Sequence, residues 1–400
     1  NGDLTQLPDL FKKAVSLANG VEPGLDFGDQ IESLPTAIRN SAMNLKRIPT
    51  GIASLDAQIN GLGAGELGIV VGGSGIGKSF SLLNFCYGAC VAGYSSVYYT
   101  LELKEFDVAL RMLSRVTGMS AAEINAIPSG TLSESISVDS QIGPGRLVIK
   151  YFSPSTCDVN TIRSHLALLK SMRDFQPDCL FVDYIKRMKV DRDSIGSLGR
   201  VADQLIELGD EYQAAVWTAM QPQRGGGFQG QKSNRYVESM DLYSIGNDVT
   251  LAENADLVLG MCQTETEHAR DPLTGLSRLR YQTVKVRRAQ DAAHIPCWVD
   301  YSKALIIPMT ALDARKFYGE RHGVLSMPEP VAARMTNPFP STPSPSLPPV
   351  PSQLSSGHGH VNGHVNGHVN GHVNGHGHGH GNGHGNGFYR HHDNAEPPAF

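Results

Sequence analysis

Between positions 46 and 312 the apolar residues fall into two alternating periods. Short runs rich in Val, Ile, Leu and Tyr stand at 67–71, 96–101, 146–152, 179–184 and 214–219, with further runs near 257–261 and 281–286. Continuous apolar runs of this length, bounded by turn residues, predict strands buried on both faces. Between them apolar residues recur every three or four positions, which predicts helices over 80–91, 104–117, 161–175 and 197–212. A hairpin-like pair around 297–301 and 303–307 ends the pattern. Repeated strand-then-helix units predict an α/β fold: a mainly parallel central sheet covered by helices on both faces. Upstream, 10–18 and 34–45 have helical spacing and carry no obvious chemical group.

Composition divides the chain further. Beyond about 336 there is little that could form a core: 337–351 is proline-rich and 352–387 is a Gly/His/Asn tract repeating His-Val-Asn-Gly. Eleven of the fifteen histidines lie beyond position 350, so the histidine count says nothing about the folded part. The sequence thus reads as an N-terminal helical or linker segment (1–45), a main domain (46–312), an extension (313–336) and a disordered tail (337–400). The tail imidazoles offer weak transition-metal binding, unconnected to catalysis. A net charge of −5 does not mark a nucleic-acid binder, although it leaves room for a local basic channel. Six cysteines without a C-x-x-C pair fall mostly in apolar runs and predict buried free thiols in a reducing compartment. Neither a membrane span nor a basic-then-apolar leader is visible, so a cytoplasmic protein is expected. The chain opens on Asn1 and not on methionine, which leaves room for an upstream segment.

The chemistry concentrates in one stretch. Gly72, Gly73, Ser74, Gly75, Ile76, Gly77, Lys78 and Ser79, followed by Phe80, fit G-x-x-x-x-G-K-[ST] between a predicted strand and a predicted helix. That context aims backbone N–H groups at one point, where the helix dipole also favours negative charge. In this reading Gly72, Gly75 and Gly77 permit a tight loop with φ > 0 in part. Lys78 reaches the β- and γ-phosphates, and the Ser79 hydroxyl is a ligand for Mg²⁺. A Gly/Ser-rich surface loop matching by chance is the plainer alternative.

Two carboxylates end strands where such a site needs them. Asp183 closes the apolar run Cys179-Leu180-Phe181-Val182 and has the form of a Walker B aspartate serving Mg²⁺; otherwise it is a turn residue or helix cap. Glu102 ends the strand after the phosphate-loop helix, where a parallel sheet would let it take a proton from attacking water; otherwise it is an exposed acidic residue.

At this point the chain resembles a family. Ile48-Pro49-Thr50-Gly51 with Leu55-Asp56, the glycine-rich loop, Tyr99-Thr100-Leu101-Glu102, Phe181-Val182-Asp183-Tyr184-Ile185 with Met188, Met220-Gln221 and Lys285-Val286-Arg287 are similar to the successive motifs of DnaB-type replicative helicases. These are hexameric motors of the RecA-like ATPase class. The resemblance covers about 46–308 and implies a RecA-like P-loop ATPase using ATP and Mg²⁺. By motif position, Glu102 would be the water-activating base, Asp183 the Walker B carboxylate and Gln221 a switch reporting the γ-phosphate to DNA loops. Arg287, helped by Lys285, would be a finger reaching into the next subunit's site. Arg288 beside Arg287 makes that assignment ambiguous, and the solvated end of a strand is the plainer reading.

The departures are specific. Met220-Gln221-Pro222-Gln223-Arg224 replaces the Ser-Gln followed by Leu-Asn-Arg that members carry, and 224–248 lacks their Arg-Glu-Ser-Gly run. Arg224, Lys232 and Arg235 still sit among glycines, where a basic loop can follow a phosphate backbone. Divergence of this kind suggests a phage-type member. Residues 1–45 are too few for a collar domain or primase and read as a linker helix gripping a neighbour. The expectation is an ATP-dependent, homo-hexameric DNA helicase or translocase on single-stranded DNA, with a primase or loader as possible partner and no membrane. A RecA-, RadA- or KaiC-like ATPase without processive unwinding, or a nucleotide-gated loading protein, are the alternatives.

Overall fold

Just ahead of the main sheet two two-residue strands, β1 (Arg47–Ile48) and β2 (Leu62–Gly63), pair antiparallel and bracket helix α1 (Ala53–Ile59). Arg47 ties this corner down through both carboxylate oxygens of Glu66, each at 2.7 Å. None of these elements is long enough to show a period in the sequence. The apolar runs then become β3 (Leu67–Val71), β4 (Ser96–Thr100), β5 (Leu147–Tyr151), β6 (Cys179–Asp183), β7 (Ala215–Met220) and β8 (Leu257–Cys262). These six are parallel neighbours. The chain then turns antiparallel through β9 (Ser277–Val286), β10 (His294–Asp300) and β11 (Leu305–Pro308). The nine strands run in the order β11-β10-β9-β8-β3-β7-β6-β4-β5, so the sheet is mainly parallel with an antiparallel edge. The computed structural model describes residues 27, 33–36, 46–128, 143–154, 156–189, 197–222, 236–242, 249–287 and 293–319.

Helices cover both faces, as the two periods require. Leu82 and Phe85 of α2 (Lys78–Val91) and Val108 and Met112 of α3 (Glu105–Thr117) pack on one face with Trp217 of β7. After the short α4 (Ala121–Asn125), Ile162 and Leu166 of α5 (Val159–Arg173) join Val201 and Leu205 of α6 (Ser197–Tyr212) on the other. Along β3, Val70 faces the first layer while Ile69 and Val71 face the second, the alternation a strand imposes. Each such fully buried side chain stabilises the fold by about 1.5–3 kcal/mol before chain entropy is counted. Two further short helices, α7 (Val249–Asn254) and α8 (Glu265–His268), flank β8. Helix α9 (Ala311–Tyr318), straddling the boundary expected at 312, seats Ala314 and Phe317 against Trp298.

Several element limits move by one to four residues, and three of these shifts have a local reason. The phosphate-loop helix begins at Lys78 and not at 80, because Gly77, at φ 104°, is the last residue outside it. Strand β9 starts at Ser277, four residues before the expected 281, because it pairs along β10 from His294 to Val299. The hairpin turn occupies 301–304, so β11 starts at Leu305. All six cysteines are buried and free. No helix among the described residues is long and apolar enough to cross a membrane. The helix expected over 10–18, the part of 34–45 beyond Thr36, the loop at 224–230 and the tail at 337–400 lie outside the described residues.

Candidate nucleotide site

The C-terminal ends of the parallel strands open into a cleft of about 260 Å³ lined by Ser74, Gly75, Gly77, Lys78, Ser79, Phe80, Glu102, Leu103, Arg111, Asp183, Tyr184, Gln221 and Tyr301. Strand order explains the convergence. The loop after β3 lies between those after β7 and β8, with β6 and β4 beyond, so side chains far apart in sequence reach one space. Gly75 and Gly77 have φ of 75° and 104°, the left-handed region where a side chain is strained. Gly72 does not share that conformation, contrary to the sequence expectation. Its place is a tight one, since a Cβ there would stand 3.0 Å from the Ile76 side chain and 3.1 Å from Met261, so these neighbours would have to shift slightly. Ile76 turns its side chain into the core, and the Gly73 carbonyl accepts a hydrogen bond from Lys78 Nζ at 2.8 Å.

Charge is concentrated and partly dehydrated here. Burial pushes the Lys78 ammonium down to about 8, with Asp183 and Glu102 opposing the fall. Burial raises the Asp183 carboxyl above its usual range, opposed by hydrogen bonds from Ser79 and Tyr98. The Tyr98 hydroxyl reaches Asp183 Oδ2 at 2.9 Å. Ser79 Oγ and the Asp183 carboxylate together form an oxygen-only donor set with one anion. That suits Mg²⁺, which keeps several waters and takes one or two protein oxygens beside substrate phosphates. No group of three or more His, Cys, Asp or Glu positioned for a metal occurs among the described residues. Glu102 is more open, pairing with Arg187 at 3.5 Å at the cleft mouth. Arg111 lies over the Phe80 ring at 5.1 Å.

Gln221 follows β7 directly and joins the cleft, its carbonyl accepting from Lys186 at 3.3 Å. Arg287 and Lys285 are elsewhere. Val286 pairs with Leu257, which pairs with Gly68, so the end of β9 lies beside the start of β3. At 3.3 Å per residue this is roughly 16 Å from the phosphate loop along the strand. There Arg287 pairs with Asp256 at 2.9 Å, and Lys285 donates to the carbonyls of Ala252, at 3.2 Å, and Glu253. Arg224, Lys232 and Arg235, like Arg288, lie outside the described residues.

Sequence reasoning missed Tyr98, Arg111, Arg187 and Tyr301. Tyr98 sits in an apolar strand and Arg111 in an amphipathic helix, so neither stands out by type or spacing. Only their neighbours in the fold, Asp183 on the next strand for Tyr98 and Phe80 on the preceding helix for Arg111, give them a place in the site.

Residues 47–292 match the family described as DnaB-like helicase C terminal domain. The chain is 26% identical over 277 residues to a DnaB-like replicative helicase of Enterobacteria phage T4, covering 66% of this chain and 55% of that protein. It is 23% identical over 229 residues to the replicative DNA helicase DnaB of Helicobacter pylori, covering 55% of this chain and 44% of the relative. The chain therefore spans about half the length of these relatives. Among solved structures, one ATPase domain aligns with a TM-score of 0.56 at 14% identity, over 72% of this chain and 99% of that domain. A DnaB-like replicative helicase studied for its interactions with primase aligns with a TM-score of 0.55 at 14% identity, over 72% and 68%. These likenesses bear out the fold, a RecA-like ATPase sheet, and with the match over 47–292 the chain belongs to the DnaB-like helicase C-terminal domain family.

Proposed function

We propose that this chain is the motor domain of a ring-forming, ATP-dependent DNA helicase or translocase that couples Mg-ATP hydrolysis to movement along single-stranded DNA in replication. The observation that carries the reading is the convergence of Lys78, Ser79, Glu102, Asp183 and Gln221 on one cleft, with Arg287 at the other end of the same sheet. An arginine so far from its own chain's cleft serves hydrolysis only across a subunit boundary. This geometry supports a homo-hexameric ring with nucleotide between subunits. The T4 relative is a replicative helicase, and one structural neighbour was studied with primase, which supports a replication role with a primase as partner.

The residues divide the work by position. Lys78 exchanges its bond to Gly73 for the β- and γ-phosphates, while the N–H groups of the 74–79 loop hold their oxygens. Ser79 and Asp183 hold Mg²⁺, which neutralises phosphate charge when bound. Glu102 orients the attacking water and accepts its proton, and Arg287 of a neighbouring copy stabilises the charge that develops. Gln221 passes the γ-phosphate state into the sequence that follows, where Arg224, Lys232 and Arg235 contact the DNA backbone.

The test is ATP hydrolysis by the purified chain with and without single-stranded DNA, beside Glu102→Gln and Arg287→Ala. Strong stimulation by DNA, lost in both variants, is the expected result. Activity indifferent to DNA or to Arg287 would move the reading to a RecA-, RadA- or KaiC-like ATPase of the same fold. Function surviving Glu102→Gln but not Lys78→Ala would point to a nucleotide-gated loader.

A further inference from the structure

We infer that Tyr301 and Gln263 are positioning residues that tie the phosphate loop to segment 236–240, a second link beside Gln221. This rests on the proposed nucleotide and DNA reading, in which the basic stretch ending at Arg235 meets the single strand. The Tyr301 hydroxyl has two acceptors for its proton, each at 3.3 Å: the Ile76 carbonyl, in the middle of the phosphate loop, and Gln263 Oε1. The same hydroxyl accepts from Gln263 Nε2 at 3.1 Å, and the second Nε2 proton goes to the Arg278 carbonyl at 2.6 Å. Gln263 Oε1 lies 3.2 Å from His268 Nδ1, which donates in the tautomer that carries its proton there. Gln263 is fully buried, and both its amide protons and its oxygen are engaged. Its backbone then exchanges two 2.9 Å hydrogen bonds with Val237, an isolated bridge outside the main strands.

A row of rings follows the same path. Tyr236 lies 5.5 Å from His268, His268 lies 5.4 Å from Tyr301, and Tyr301 lies 6.0 Å from Phe80 in the first turn of the phosphate-loop helix. The packed rings hold the members of this path side by side, while the polar contacts connect the phosphate loop to the Val237 bridge. When phosphate draws the 74–77 backbone toward itself, the Ile76 carbonyl moves and carries the Tyr301 hydroxyl with it. A buried amide whose bonds are all engaged cannot follow by rotating alone without breaking one, so the shift passes to the Val237 bridge.

Hydrogen exchange of the full chain, with and without Mg²⁺ and a non-hydrolysable ATP analogue, tests the link. Gln263→Met removes the amide while keeping its volume, and Tyr301→Phe removes only the hydroxyl. The wild-type chain should slow exchange in the phosphate-loop peptide and change it by about tenfold in the peptide spanning 236–242. At saturating nucleotide Gln263→Met, which lies outside the cleft, should keep the first response and reduce the second to below about twofold; Tyr301→Phe should reduce the second as far, and the double variant should reduce it no further than either single one. A wild-type 236–242 peptide that ignores nucleotide while the phosphate loop is protected overturns the link and leaves the nucleotide site standing. The link is likewise overturned if Gln263→Met or Tyr301→Phe retains the full response. Protection in neither peptide overturns the nucleotide reading and the link together.

Discussion

Tyr98 and Asp183 meet across neighbouring strands, the phenol donating to the carboxylate at 2.9 Å. Asp183 is almost fully buried, and burial raises its carboxyl; the Tyr98 bond is one of the contacts that oppose the rise. Tyr98→Phe should cost about 1.5–3 kcal/mol in urea denaturation, the range for a hydrogen bond to a charged group. It should also shift the acid limb of Mg²⁺-dependent nucleotide binding to higher pH, because Asp183 then keeps its proton longer on the way up. An unchanged limb would mean that Asp183 does not hold the ion.

Lys78 gives the opposite limb. With its folded value lowered from 10.5 to about 8, the nucleotide-free folded chain sheds a proton that the unfolded chain retains. This group's contribution to stability therefore rises as pH climbs from about 8 toward 10.5. Bound phosphates restore the proton, so ATP affinity should fall above about pH 8, approaching tenfold per pH unit. Calorimetry at about pH 8.5, just above that folded value, in buffers of different ionisation enthalpy should record proton uptake on binding. Lys78→Met should abolish it.

Glu102 lies at the cleft mouth, pairing with Arg187 across 3.5 Å in a half-exposed setting. Exposed pairs of this kind are worth at most about 1 kcal/mol, so Glu102→Gln should leave folding intact. If Glu102 is the base, kcat should fall by about 10²–10⁴ with ATP affinity changed only a few-fold. A fall of less than tenfold would assign water activation to another group.

Mixing variants tests the proposed subunit boundary directly. A Lys78→Ala chain has no working cleft but carries Arg287, and an Arg287→Ala chain has the reverse. Co-assembled, they should hydrolyse ATP faster than either alone. No gain in preparations proven to contain both chains would place the role of Arg287 within its own chain or outside catalysis.

Arg280 and Glu267 form a buried pair at 2.7 Å, with Tyr318 donating to the same carboxylate at 2.8 Å. Burial alone would raise the Glu267 carboxyl, but Arg280, Thr264 and Tyr318 outweigh it and the net shift is downward. A carboxylate lowered on folding contributes stability above its unfolded value, and that stability is lost as pH falls through the folded one. Glu267→Ala should cost about 3–5 kcal/mol by leaving Arg280 buried and unpaired. It should also flatten the acid side of the stability profile measured by urea titration.

Local signals carried most of the fold and the nearest parts of the cleft into the sequence. The spacing from Gly72 to Ser79 lies within one turn, and Asp183 and Glu102 end apolar runs, so each is legible from its neighbours. Gln221 and Arg287 were visible only as members of an ordered motif series. Tyr98, Arg111 and Tyr301 were not legible, because strand order and helix packing, not spacing, bring Tyr98 to Asp183 and Arg111 and Tyr301 to the cleft. The paired strands β1 and β2 escaped for another reason: two residues cannot display a period, and tertiary contacts such as Arg47 with Glu66 hold them.

The two ends of β3 and β9 also bear on how copies of this chain count. Under the proposed function each subunit offers a cradle at one end of its sheet and an arginine at the other, so neither half works on its own molecule. In an open row the first cradle lacks an arginine and the last arginine lacks a cradle. Closing the row removes both defects at once, which makes ring closure itself the step that brings the final site into use.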